Sequence, residues 1–346
     1  LTNKRYKFFP CMENYDKMAA GTFAPYAMLS GPIDYHDSVI NTDVSGFRWT
    51  KGRTEIFKVE DIEKYEHVNI LIGGSTVFGV GASSDSQTIS SYLAKETGQV
   101  WLNFGLRGGV SIQEYIHLIR FIYKAKKVNN IVFLSGNNDL YINLVSEFND
   151  GFDRRFGEID ALDAVYSCKR RIIVGLIAKI TGTDKKYLFE KSISDILLSL
   201  FKKSINEEKS LTFDDKMNNL VQNYNRNFFL YSALKKQLEC NVSFVLQPFF
   251  NWTQKKTSTE EFEVFDELER IQKGTAWSVY KDKMDLSLYK FYSSQLRMMG
   301  EKNDLRFVDA NEDFNENRTL FVDAVHLNDD GNQLMSKIIL AKAITT

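Results

Sequence analysis

Residues 68–83 read VNILIGGSTVFGVGAS. The opening run is too short and too rich in β-branched residues (Val68, Ile70, Ile72) for a helix, and it describes a buried strand. It ends abruptly in Gly73, Gly74 and Ser75, with Gly79 and Gly81 close behind. A glycine-rich turn after a strand places the next residues at the strand's carboxyl end, where open α/β sheets hold their ligands. Two chemistries use such a turn: the cradling of a phosphate and the presentation of a nucleophile.

The phosphate alternative fails at its diagnostic positions. A P-loop counted from Gly74 finds its second glycine at Gly79, but Val80 stands where the lysine must reach the phosphates. A dinucleotide turn counted from Gly79 and Gly81 meets Ser84 in place of its last glycine. Ser75 is therefore the candidate, as a nucleophile at the end of the first strand. It does not sit in the G-x-S-x-G elbow, because Val77 replaces the final glycine. A serine hydroxyl is weakly nucleophilic and needs a base.

Around this strand the chain alternates. QVWLNFG, NNIVFLSG, NVSFVLQPF (241–249) and LRFVDA (305–310) read as further strands. TISSYLAKETG reads as a helix closed by Gly98. Ser111 and Glu114 of SIQE form a capping-box pattern, opening a helix with Ile112, Ile116, Ile119 and Tyr123 on one stripe. Short apolar strands alternating with helices imply βαβ units and a mostly parallel sheet covered on both faces, an α/β fold. Residues 1–66 form an irregular front segment packed on the core, with three of the four prolines. Residues 67–346 form one α/β domain, with helical insertions at about 146–240 and 254–300.

Bulk properties exclude several classes. The 346 residues are 43% hydrophobic and 26% charged, an ordinary globular composition. Forty-four basic against 45 acidic side chains leave no basic excess for a nucleic-acid partner. Cys11, Cys168 and Cys240 are odd in number and far apart, which argues against a disulfide framework and points to a reducing, cytoplasmic setting. No run reaches the length of a membrane span, while a start at Leu1 leaves a removed anchor or signal open. Residues 169–203 hold nine basic and three acidic side chains around IIVGLIA. They read either as an interfacial segment facing anionic lipid or an acidic glycan, or as a helical insertion with a solvated basic face, the simpler reading.

Of the four histidines, His67 precedes a strand, His117 lies mid-helix and His36 is in the front segment. His326 follows Asp323 by three residues in a loop before the last helix. A carboxylate there can take the Nδ1 proton and leave Nε2 free to deprotonate Ser75. The second strand runs into NFGLRGG and the third into SGNNDL. Gly108 and Asn138 thus fall near the same sheet edge as Ser75, and a glycine N–H, a serine N–H and an asparagine amide suit an oxyanion.

Taken in order, GGS, NFGLRG, GNND and DAVH resemble the four blocks of the SGNH, or GDSL-type, hydrolase superfamily over roughly residues 68–145 and 305–342. The resemblance implies a three-layer α/β/α, flavodoxin-like fold. It implies Ser75 as nucleophile, His326 as base, Asp323 as its orienting carboxylate, and an oxyanion hole of Ser75 N–H, Gly108 and Asn138. Asn137 competes with Asn138 for that role, and Asp139 matches the motif with a structural use expected. Gly74 stands where the family usually carries aspartate. The front-segment phrase INTDVSGFRW (40–49) also looks like an extension found before some bacterial SGNH domains. The activity so implied is that of a serine esterase without metal or organic cofactor, acting on an acyl ester, by family habit an O-acetyl group on a carbohydrate. An O-acyltransferase passing the acyl group to a sugar hydroxyl, and a non-catalytic binding module, are the alternatives.

Overall fold

The computed structural model describes residues 4–18, 29–145, 211–273 and 283–344, with Gly21, Thr22, Ala24, Ala27 and Lys281. The basic stretch 169–203, most of the insertion expected at about 146–240 and Cys168 lie outside them. Among the described residues no helix is long and apolar enough to cross a membrane.

The front segment opens with two short helices, α1 (Lys4–Phe8) and α2 (Met12–Lys17), and carries a small antiparallel pair, β1 (Thr50–Lys51) and β2 (Ile56–Phe57). The sheet begins with β3 (Val68–Gly73), the strand read from the opening sequence. Then come α3 (Ser75–Phe78), α4 (Ile89–Thr97), β4 (Trp101–Gly105), α5 (Ser111–Ile122), β5 (Val128–Ser135) and α6 (Asn137–Val145). From residue 211 onward follow α7 (Phe213–Leu238), which falls within the expected first insertion, β6 (Asn241–Leu246), α8 (Thr259–Gln272), α9 (Leu286–Lys302), β7 (Arg306–Asp309) and α10 (Asp329–Ile338).

The five main strands are all parallel, in the order β4-β3-β5-β6-β7. From β3 the chain first steps outward to β4, then crosses back past β3 to β5 and continues the other way. Right-handed crossovers in opposite directions put their helices on opposite faces, which gives three layers. The carboxyl end of β3 is the point where that direction reverses, so a crevice opens there.

The packing follows from the residues. Tyr224, Phe228 and Tyr231 of α7 face the sheet, with Tyr231 stacked on Phe133 of β5 and Phe228 against Phe244 of β6. At the amino ends of the strands Asn69, Asn130 and Asn241 bond side chain to side chain, 2.7 and 3.3 Å apart, which satisfies amides inside the sheet.

Two expectations for α5 are corrected. Its N-cap is Val110, and Ser111 makes no capping bond. Ile119 and Tyr123 are 42% and 75% exposed, so the expected stripe is not the buried one. The buried face carries Gln113, Glu114, His117, Leu118 and Ile122, because polar groups here have partners inside the protein: Glu114 accepts the Ser135 hydroxyl at 2.8 Å.

The front segment is tied to the sheet through Arg48 of the INTDVSGFRW phrase. Its side chain and that of Asp85 are 0% and 1% exposed and pair at 3.0 Å. Nη1 donates to Tyr15 Oη (2.6 Å) and to the carbonyls of Phe78 (3.2 Å) and Gly79 (2.9 Å), and Nη2 to the carbonyl of Val39 (2.7 Å). Gly79 is the left-handed cap of α3 (φ 89°), and a Cβ there would meet Thr88 at 2.7 Å. Its place in the glycine-rich turn is therefore explained by packing. Removing one partner of a buried ion pair strands the other. Arg48→Met is expected to cost about 3–5 kcal/mol in urea unfolding. A loss below about 1 kcal/mol would show that this guanidinium does not hold the front segment to the sheet.

Candidate active site

Ser75 is the first residue of α3, directly beyond the carboxyl end of β3, with Gly74 as the N-cap. Its N–H therefore has no acceptor within its own helix. Ser75 Oγ lies 2.7 Å from His326 Nε2, and His326 Nδ1 lies 2.7 Å from Asp323 Oδ2. An ionised Asp323 selects the tautomer with the proton on Nδ1, so Nε2 accepts from the serine hydroxyl. The other carboxylate oxygen, Oδ1, accepts the N–H groups of Val325 (2.9 Å) and His326 (2.8 Å). Burial works to raise the Asp323 carboxyl. The charge and hydrogen bond of His326, the Arg5 guanidinium and the Val325 N–H outweigh it and hold the group well below the usual carboxylate range.

Ser75 and His326 are 251 residues apart in sequence, so the loop that carries the histidine must be fixed to the nucleophile's helix. Thr76 Oγ1 donates to the Val325 carbonyl at 3.2 Å. Gln247, just beyond β6, donates to Thr76 Oγ1 at 2.7 Å and to the Val325 carbonyl at 3.3 Å. The Phe250 N–H holds the Ala324 carbonyl at 2.9 Å. Gly81 (φ 99°) lets the loop approach: a Cβ there would lie 2.3 Å from the Leu327 carbonyl oxygen. Neither Gln247 nor Thr76 belongs to a motif. Their one signal in the sequence is position, a polar side chain immediately after an apolar strand.

The carboxyl ends of β4 and β5 bring the other site residues to the same crevice. Gly108 lies in the loop after β4, exposed, with φ +69°. Asn138, in the first turn of α6, donates through Nδ2 to the Gly109 carbonyl at 2.7 Å. The same Nδ2 would stand 2.8 Å from a Cβ added to Gly74. Asn137 turns elsewhere, to the Pro248 carbonyl at 3.3 Å. Asp139 accepts the Ser111 N–H at 3.1 Å and the Ser111 hydroxyl, while Asn227 donates to that hydroxyl at 2.6 Å. It pins the start of α5, and so one end of the loop that holds Gly108. Of the remaining histidines, His117 is buried against the Leu29 carbonyl at 2.6 Å, and His36 and His67 bond to surface polar groups.

Beside His326 is a cleft of about 250 Å³, lined by Phe265, Leu268, Gln272, Lys281, Asp323 and Val325 among others. The second insertion thus supplies one wall. A nucleophile, a base in hydrogen-bond contact with it, and a carboxylate behind the base form an arrangement able to carry out acyl transfer.

No family model and no curated protein matches the chain. Solved structures do. An acetyl xylan esterase superposes with a TM-score of 0.41 at 11% identity, over 79% of this chain and 98% of its own. The acetylxylan esterase Axe2 of Geobacillus stearothermophilus gives 0.40 at 10% identity, over 81% of this chain and 97% of its own. A member of the lipolytic G-D-S-L family from Veillonella parvula gives 0.37 at 12% identity, over 80% and 97%.

Gly74 has φ −77°, open to any residue, so contact with the Asn138 amide is what a side chain there must overcome. Gly74→Ala is expected to change unfolding stability by less than about 1 kcal/mol. It is also expected to slow labelling of Ser75 by a fluorophosphonate about tenfold, because the displaced amide no longer faces the developing oxyanion. Labelling at the unaltered rate would remove Asn138 from the site.

Proposed function

We propose that this chain is a serine hydrolase cleaving an acyl ester through a covalent acyl-enzyme. The observation that carries the reading is the unbroken relay from Ser75 Oγ through His326 to Asp323, at 2.7 Å on each side of the imidazole. As Oγ bonds to the ester carbonyl carbon, the hydroxyl proton passes to Nε2. The imidazolium so formed is stabilised by the anionic Asp323. Negative charge develops on the former carbonyl oxygen. The N–H groups of Ser75 and Gly108 and the Asn138 amide are its donors. An NH₂ group carries two hydrogens. One is committed to the Gly109 carbonyl and fixes the amide plane, and the second is offered to the oxyanion.

Collapse of this intermediate breaks the bond to the alcohol, which leaves with the proton from Nε2, and the acyl group stays on Ser75. Water then attacks, giving its proton to Nε2, and the carboxylic acid and free serine are restored. The resemblance of the four blocks to SGNH hydrolases supports a small acyl group, an O-acetyl ester on a carbohydrate, as the substrate class. Lys281 and Gln272 in the wall of the cleft offer polar groups to sugar hydroxyls.

Hydrolysis of a small aryl acetate is the direct test. Ser75→Ala and His326→Ala are each expected to lower kcat at least about 10³-fold, and Asp323→Asn about 10²- to 10⁴-fold. Turnover unchanged in the first two would overturn the assignment. Acetylated oligosaccharides then define the alcohol. Acetyl appearing on an added sugar in place of free acetate would convert the reading to that of an acyltransferase.

A further inference from the structure

We infer that Arg5, from the front segment, is a positioning residue of the active site that holds the Asp323 carboxylate behind His326. The inference rests on reading Ser75, His326 and Asp323 as the reacting set. Arg5 lies in α1, which packs on α8, and its backbone N–H donates to Glu267 of α8 at 3.2 Å. Its Nη1 is held by both oxygens of Asp16 in α2, at 3.3 and 3.0 Å. Its Nη2 reaches to 3.8 Å from Asp323 Oδ2, the same oxygen that accepts from His326 Nδ1.

These charges face one another away from bulk water. The Arg5 and Asp323 side chains are only 14% and 18% exposed, and Arg5 Nε is buried without a hydrogen-bond partner among the described residues. The other charged groups around the pair come from every neighbouring element. Asp16 stands on α2, and Arg107 on the loop after β4 lies within electrostatic reach of Asp16 and Arg5. Across the cleft Glu269 of α8 and Lys281 pair at 3.9 Å. Of these groups, Arg5 is the one within ion-pair distance of the carboxylate behind His326.

A fixed cation here keeps Asp323 ionised, which holds the His326 ring in the orientation that points Nε2 at Ser75. Arg5 itself does not line the cleft and reaches the site through Asp323 Oδ2, so substrate binding should be indifferent to it.

Proton NMR of the Nδ1 hydrogen shared by His326 and Asp323, assigned with His326→Ala, tests this without depending on any substrate. In Arg5→Gln that signal is expected to move or broaden, and in Arg5→Lys to return most of the way. In parallel, kcat for the aryl acetate should fall about three- to tenfold in Arg5→Gln and recover in Arg5→Lys, with KM unchanged. A signal in Arg5→Gln identical to that of the unaltered protein, or one moved equally in Arg5→Lys, would overturn the inference. A moved signal in a protein without esterase activity would sustain the positioning role and sink the hydrolase reading alone.

Discussion

A guanidinium buried beneath the nucleophile's turn is the constraint on which the rest of the molecule depends. A charge without water is tolerated only if it is paired and hydrogen-bonded. Arg48 finds Asp85, Tyr15 and three carbonyls, two of them at the end of α3 itself. Those acceptors come from the front segment, from α3 and from the stretch before α4, so satisfying one side chain fixes three parts of the chain together. The short helix bearing Ser75 cannot shift without leaving a cation unpaired. What reads in the sequence as an irregular prelude is thus part of the foundation of the site.

The outline of the fold was legible because a parallel sheet imposes an unmistakable pattern. Strands covered on both faces must be apolar along their length, and β3 to β7 stand where such runs occur. That Ser75, Asp323 and His326 meet was legible for a related reason. The proposed chemistry demands particular side chains, and the strand ends restrict where those side chains can stand. The different settings of Asn138 and Asn137 emerge only in three dimensions, where one amide turns to Gly109 and the other to Pro248.

What the sequence concealed was of another kind. The pattern at Ser111 and Glu114 looks like a self-contained helix start, because capping is judged from neighbours in the chain. Both side chains instead bond to partners on other elements, Asp139 and Ser135, and no local pattern announces a long-range partner. The exposed Ile119 and Tyr123 mislead for the same reason: the buried face of α5 is partly polar, so apolar periodicity marks the wrong side. Gln247, Thr76 and Arg5 were silent because their roles arise from where the fold delivers them rather than from what they are.

The distance along the chain between Ser75 and His326 carries a consequence for biosynthesis. Domains take shape progressively as the polypeptide is made. The serine, its turn and the strands on either side of it are all produced early, yet the imidazole that meets its hydroxyl is 251 residues further on. It is seated only when Val325 can be gripped by Thr76 and Gln247. A growing chain therefore displays Ser75 without its histidine partner through most of translation, and completes the relay only when its last strand and loop have docked.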